Sequence, residues 1–95
     1  MSDAANIEVV HNAAQSRFEV HLDGLLCRLE YEVAGGALAI NHTEVPAALG
    51  GRGIAGMLVA AAVAYAKQSG LRVVANCSYA RSWLERNPEA LRAAT

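Results

Sequence analysis

The sequence predicts an α/β domain of the α+β kind: a mixed, mostly antiparallel sheet of about five strands with two or three helices, in the order β-β-β-β-α-β-α. Three observations carry that prediction. Polar and apolar residues alternate through most of the first half of the chain, with hairpin signals at Asp23-Gly24 and Ala34-Gly35-Gly36. After Gly53 the apolar spacing lengthens to that of a helix. One further β-prone run, Leu71 to Cys77, follows the helix. It is therefore expected to pair in parallel with the strand before the helix, through a right-handed crossover.

The elements follow in order. Ile7 to His11 is a short β-prone run, and Asn12 to Ser16 reads as a turn. Arg17 to Leu22 has the two-residue period of a half-buried strand. Leu25 to Val33 repeats that period, with Cys27, Leu29, Tyr31 and Val33 on one side and Arg28, Glu30 and Glu32 on the other. Ala37 to Val45 is the fourth strand, and Pro46, which lacks an N–H, ends its pairing. Ile54, Met57, Leu58, Ala61, Ala62 and Tyr65 then mark one face of a helix that Gly70 closes. Ser78 is the expected N-cap of a short helix from Tyr79 to Arg86, which Asn87-Pro88 stops. Glu89 to Thr95 is expected to be a helical or frayed tail.

Ninety-five residues allow one domain, 1–95, with a modest core. The apolar share of 54% overstates that core, because much of it is alanine. No apolar run is long enough to span a bilayer, and the first residues lack the pattern of a signal peptide. Two cysteines outside any metal-type spacing suit a reduced, cytoplasmic protein. Residues 1–45 carry seven acids against two arginines, and residues 46–95 carry six bases against two acids. Ordinary solvated charge explains this asymmetry as well as a functional division does. The functional division would be a basic end for an anionic cofactor and an acidic surface for a cationic substrate. There is no dense basic run with interleaved aromatics, so nucleic acid is not expected.

The stretch from His42 to Gly56 concentrates the candidate chemistry. Gly50, Gly51, Gly53 and Gly56 fall within seven residues at a strand-to-helix turn, and Arg52 adds a positive charge. A tight turn feeding a helix N-terminus suits a phosphate, although a purely structural corner has the same composition. No Gly-Lys-Ser/Thr follows, so this is not a P-loop. The antiparallel strands before it also make a poor dinucleotide-binding fingerprint. His42 and Glu44 are two apart on one strand face; either is a candidate proton acceptor, and equally His42 could hydrogen-bond a neighbouring strand and Glu44 cap the turn. Cys77 closes the last strand just before a helix N-terminus, a position that favours thiolate, yet a lone cysteine is also a common small core residue. Tyr79 begins the last helix, where packing is its plainer role. Cys27 and Tyr65 read as core, and His11 and His21 as surface residues without partners.

Taken together, this order of elements, the Gly51-Arg52-Gly53-Ile54-Ala55 turn, His42-Thr43-Glu44-Val45, Cys77-Ser78-Tyr79, and Trp83-Leu84 with Arg86-Asn87-Pro88 resemble the GNAT superfamily of N-acetyltransferases. The likeness covers nearly the whole chain and is closest to the minimal, YjdJ-like single-domain members. It implies acetyl-CoA as cofactor, with the pyrophosphate on Gly50, Gly51, Arg52, Gly53, Ile54, Ala55 and Gly56. It implies further that the pantetheine arm lies between the strands ending at Val45 and at Asn76-Cys77. The acceptor would be an amine, on a small molecule or a protein, and the chain a monomer or weak homodimer. The resemblance assigns His42 or Glu44 to the proton and Cys77 or Tyr79 to the departing thiolate, or Cys77 to brief carriage of the acetyl group. The superfamily turn reads Gln/Arg-x-x-Gly-x-Gly/Ala, and Gly50 stands where Gln or Arg is expected. The alternative reading is a non-catalytic module of the same fold that binds coenzyme A or acyl-CoA, or another protein.

Overall fold

A computed structural model describes residues 7–91 of the chain. The tail expected beyond Leu91, and the first six residues, lie outside the described part. The strands are β1 (Val10–Asn12), β2 (Arg17–Leu22), β3 (Leu25–Ala34), β4 (Ala37–Glu44) and β5 (Arg72–Ala75). The helices are α1 (Ile54–Gln68) and α2 (Ser78–Arg86). The five strands form one sheet in the order β1-β2-β3-β4-β5, antiparallel throughout except for the parallel pair β4–β5. This is the fold class and element order that the sequence predicts.

The local chemistry explains the order. Asp23 and Gly24 both take positive φ (54° and 75°), the type I′ geometry whose twist matches two antiparallel strands. Hairpins keep successive strands adjacent, whereas β5 reaches β4 only after α1 has crossed one face. That helix ends in paired bonds from Gly70 N–H to the Lys67 carbonyl and from Leu71 N–H to the Ala66 carbonyl, which turn the chain back toward β5. Ala13–Gln15 is a short 3-10 turn in which the Asn12 side chain accepts from the Gln15 N–H.

The core lies between the sheet and α1. Phe18, Val20, Cys27, Leu29, Tyr31, Leu38 and Ile40 face Ile54, Leu58, Val59, Ala62, Val63 and Ala66. Burial pushes the Cys27 thiol up from its usual range. Val33, placed by alternation with this set, is instead 46% exposed near the end of β3. Leu49, carried by a 3-10 turn at Ala47–Leu49 that alternation does not reveal, plugs the core beneath the glycine turn. His11 is not partnerless: its ring stacks on Phe18 at 4.2 Å and its Nε2 lies 2.7 Å from the Tyr31 hydroxyl.

Among the described residues, the other face of the sheet carries charged pairs rather than a helix layer. Its anchor is Glu19, only 6% exposed. His21 Nε2 lies 3.0 Å from Glu19 Oε1, while Asn12 and Arg17 donate to Oε2. The bond with His21, then those from Asn12 and Arg17, hold the Glu19 carboxyl at about 2 against the opposing effect of burial. His21, like His11, therefore has a partner. A depressed carboxyl contributes stability above its unfolded value of 4.5 and loses that contribution as pH falls toward about 2. Glu19→Gln is therefore expected to be less stable than the native chain at neutral pH, and the deficit should close across that window. Urea unfolding of both proteins from pH 7 down to 2 checks this; a deficit unchanged at the acid end would rule out the carboxylate as its source.

Candidate active site

The turn that leads into α1 depends on glycine at two positions. Gly51 and Gly53 have φ of 82° and 77°, left-handed values that an L side chain resists. Gly53 is the N-cap of α1 and supplies no side-chain hydrogen bond, so the helix opens with N–H groups that its cap does not satisfy. A cleft of about 190 Å³ lies at this helix start. Gly50, Gly51, Gly53, Ile54 and Ala55 form one wall, and Val45, Leu49 and Tyr79 form the rest. The cleft thus joins a polar backbone end to an apolar flank.

The remaining turn residues are placed differently. The Arg52 guanidinium lies 3.6 Å from the Asp23 carboxylate in the β2–β3 hairpin, which ties the turn to the sheet. Gly56 does not line the cleft. A Cβ there would stand 3.0 Å from Trp83 Nε1 and 3.4 Å from the Tyr79 hydroxyl, so its bare backbone lets α2 pack against α1.

Beside the cleft, β4 and β5 part company. Their register runs from Ala37 opposite Arg72 to Ile40 opposite Ala75, and Asn76 N–H donates once more to the Ile40 carbonyl. Beyond that point side chains span the split. Asn76 Nδ2 donates to Asn41 Oδ1 at 2.9 Å, and Thr43 Oγ1 lies 3.6 Å from Cys77 Sγ. Cys77 Sγ also accepts from the Ala80 N–H at 3.4 Å, making Cys77, rather than Ser78, the N-cap of α2.

A bulge decides where the proposed proton acceptors stand. Tyr31 pairs with Ile40, but Glu30 pairs with His42, so Asn41 is an extra residue in β4. Strict alternation would put His42 and Glu44 on the face of Leu38 and Ile40. The bulge reverses the phase: Thr43 comes to the helix side to meet Cys77, and His42 and Glu44 point to the opposite face, both exposed. There Glu44 Oε1 is 2.9 Å from Arg28 Nη2 and 3.4 Å from His42 Nε2, and Arg28 Nε donates to Glu30. Arg28 holds the Glu30 carboxyl below the usual carboxylate range. Cys77 with Tyr79 and His42 with Glu44 thus occupy opposite faces of the sheet, on either side of the β4–β5 split. Sequence reasoning missed Asn41, Thr43 and Arg28. No glycine or proline marks the bulge, and Arg28 could be linked to Glu44 only once β3 and β4 were in register.

Among the described residues, no group of His, Cys, Asp and Glu could hold a metal ion, and no helix is long and apolar enough to cross a membrane. Comparison with known proteins gives a consistent picture. A family model described as GCN5-related N-acetyl-transferase matches residues 17–93. Protein NATD1 of Xenopus tropicalis is 35% identical over 91 residues, covering 93% of this chain and 84% of the relative. Protein NATD1 of Bos taurus is 38% identical over 85 residues, covering 86% of this chain and 75% of the relative. The NMR solution structure of a GCN5-like protein from Staphylococcus aureus superposes with a TM-score of 0.72 at 27% identity, covering 96% of this chain and 93% of that one.

Proposed function

This chain belongs to the GCN5-related N-acetyltransferase family, and from that premise we propose that it uses acetyl-CoA to acetylate an amine. The observation that carries the proposal is the α1 N-terminus. Two left-handed glycines lead into a helix start without a side-chain cap, and that start lines a cleft with an apolar flank beside the β4–β5 split. That arrangement fits a pyrophosphate followed by a long, mostly apolar arm. Gly51, Gly53, Ile54 and Ala55 would hold the phosphates, and Val45, one residue past β4, would offer its backbone to the pantetheine amides. Acetyl-CoA supplies an acetyl group already activated as a thioester. A cytoplasmic setting, which keeps Cys27 and Cys77 reduced, belongs to the proposal.

The chain's own residues divide the remaining work between the two faces. His42 or Glu44 removes the proton from the ammonium acceptor, since only the neutral amine has a lone pair to attack with. On the helix face two routes are open to Cys77. As a nucleophile, Cys77 would bond its sulfur to the acetyl carbon as the thioester C–S bond breaks, its proton passing to the departing coenzyme A thiolate, and the amine would then displace Cys77, which regains a proton from the attacking nitrogen. As an acid, Cys77 or Tyr79 instead protonates that thiolate after direct attack by the amine. One observation favours a second reading, a module that binds coenzyme A without chemistry: Gly50 offers the turn no side chain, so part of the family's usual loop is missing.

Incubation with labelled acetyl-CoA, read by intact-mass spectrometry on the native chain and on Cys77→Ala, separates these readings. The nucleophile predicts an added acetyl mass that the variant lacks. Turnover that survives in Cys77→Ala and falls in Tyr79→Phe assigns the acid to Tyr79. Binding without turnover across a broad amine panel supports the module, and absence of any acetyl-CoA binding ends the proposal.

A further inference from the structure

On the face of the sheet opposite the helices lies a second concavity, of about 460 Å³, lined in part by Ser16, Arg17, Glu30, Glu32 and Asn41. Its volume is that of a small-ligand site, roughly 300–1,000 Å³. Its charge is lopsided. Both Arg17 contacts, through Nε and Nη2, go to Glu19, so the one cation in the lining is already engaged. Arg28 occupies one carboxylate oxygen of Glu30, and Glu32 has no ion-pair partner among the described residues. Glu30 and Glu32 are two apart on β3 and alternate with the buried Leu29 and Tyr31, so both project to this face.

The concavity also reaches the split between β4 and β5. Asn41 lines it, and the Asn41 side chain accepts from Asn76, the residue before Cys77. His42, which follows Asn41, stands opposite Glu30. We infer that this concavity is the acceptor site and that it takes an alkyl diammonium: Glu32 and Glu30 hold one ammonium, and the other amine lies over Asn41 at the split, where His42 can take its proton. Glu32 pairs with Ala39, which puts Asn41, two residues further along β4, on the diagonal, roughly 7–8 Å away. A short diamine spans a distance of that order. The inference rests on the acetyl-transfer reading, because that reading is what makes the concavity an acceptor site. Free diamines and neighbouring lysines of a basic peptide share this chemistry.

The test is residue-resolved NMR titration of the native chain with putrescine, with a short lysine-rich peptide, and with butanediol as a neutral analogue. Putrescine is expected to shift the amides of Ser16, Arg17, Glu30, Glu32 and Asn41, and butanediol to leave them in place. Glu32→Gln should weaken putrescine about fivefold, as the loss of one exposed ion pair implies. Glu85→Gln, an exposed acid on α2, should not change its binding. If the peptide binds more tightly than putrescine at the same amides, the acceptor is a protein lysine; the reverse order makes it a free diamine. Shifts that butanediol reproduces, or equal affinity in Glu32→Gln, overturn the inference. A parallel titration with coenzyme A follows Gly51 to Ala55. Coenzyme A binding without amine binding defeats this site alone, whereas amine binding without coenzyme A binding defeats the acetyl-transfer reading.

Discussion

Gly53→Val is expected to weaken coenzyme A binding by more than tenfold and to destabilise the chain by about 2 kcal/mol. The residue sits at φ 77° and ψ 13°, in the left-handed region, where a β-branched side chain is a steric outlier. The space around it is open, with nothing within 4 Å of an added Cβ, so the cost comes from the backbone and not from a clash. Relief of the strain moves φ to negative values, which turns the first N–H groups of α1 away from the cleft. Calorimetric titration with coenzyme A reads the affinity. Thermal unfolding reads the stability, where about 2 kcal/mol corresponds to a drop of roughly 8–16 °C for a chain of this size. Gly53→Asn separates conformation from bulk. Asparagine tolerates the left-handed region, so this variant should keep most of the native melting temperature despite its larger side chain. A valine variant that binds coenzyme A as the native chain does would remove this turn from the cofactor site.

Much of the fold was legible because its determinants are local. The two-residue period of Arg17 to Leu22 and of Leu25 to Val33, and the Asp23-Gly24 hairpin, each depend on neighbours in sequence, and together they order the first strands. The helical period from Ile54 and the closing Gly70 did the same for α1. The site was less legible because its decisive feature is an offset between two strands. His42 and Glu44 share a face, as their spacing requires, but the face is set by the extra residue Asn41. That residue follows from how β3 and β4 register under tertiary packing and not from any turn signal. The same offset made Thr43 the neighbour of Cys77. Glu19 was hidden for a related reason. A glutamate on a polar strand face reads as solvated, and only the approach of Asn12 from β1, with Arg17 and His21 on its own strand, buries it.

Leu58→Ala is expected to cost about 3–4 kcal/mol, the range for a large-to-small change at a fully buried leucine. Typical stabilities run from about 5 to 15 kcal/mol, so one side chain carries a large share. The reason lies in how this core is built. Ala62 and Ala66 on the same helix are fully buried, and their small side chains allow α1 to approach the sheet closely while contributing little buried area. The apolar burial is therefore concentrated in a few large residues, among them Leu29, Leu38, Ile40, Leu49, Ile54 and Leu58. Leu58 stands one turn after Ile54, which is both a core residue and part of the cleft wall. A cavity at Leu58 therefore loosens the seat of the helix end on which the cofactor proposal depends. Denaturant unfolding should show the full loss for Leu58→Ala and less than about 0.5 kcal/mol for Val74→Ala, whose side chain is 37% exposed at the sheet edge. Coenzyme A added to the Leu58→Ala protein should recover part of the lost stability through mass action, because a ligand that binds only the folded chain draws the equilibrium toward it. If saturating coenzyme A stabilises neither protein, α1 is not seated for a phosphate, whatever the shape of its glycine turn.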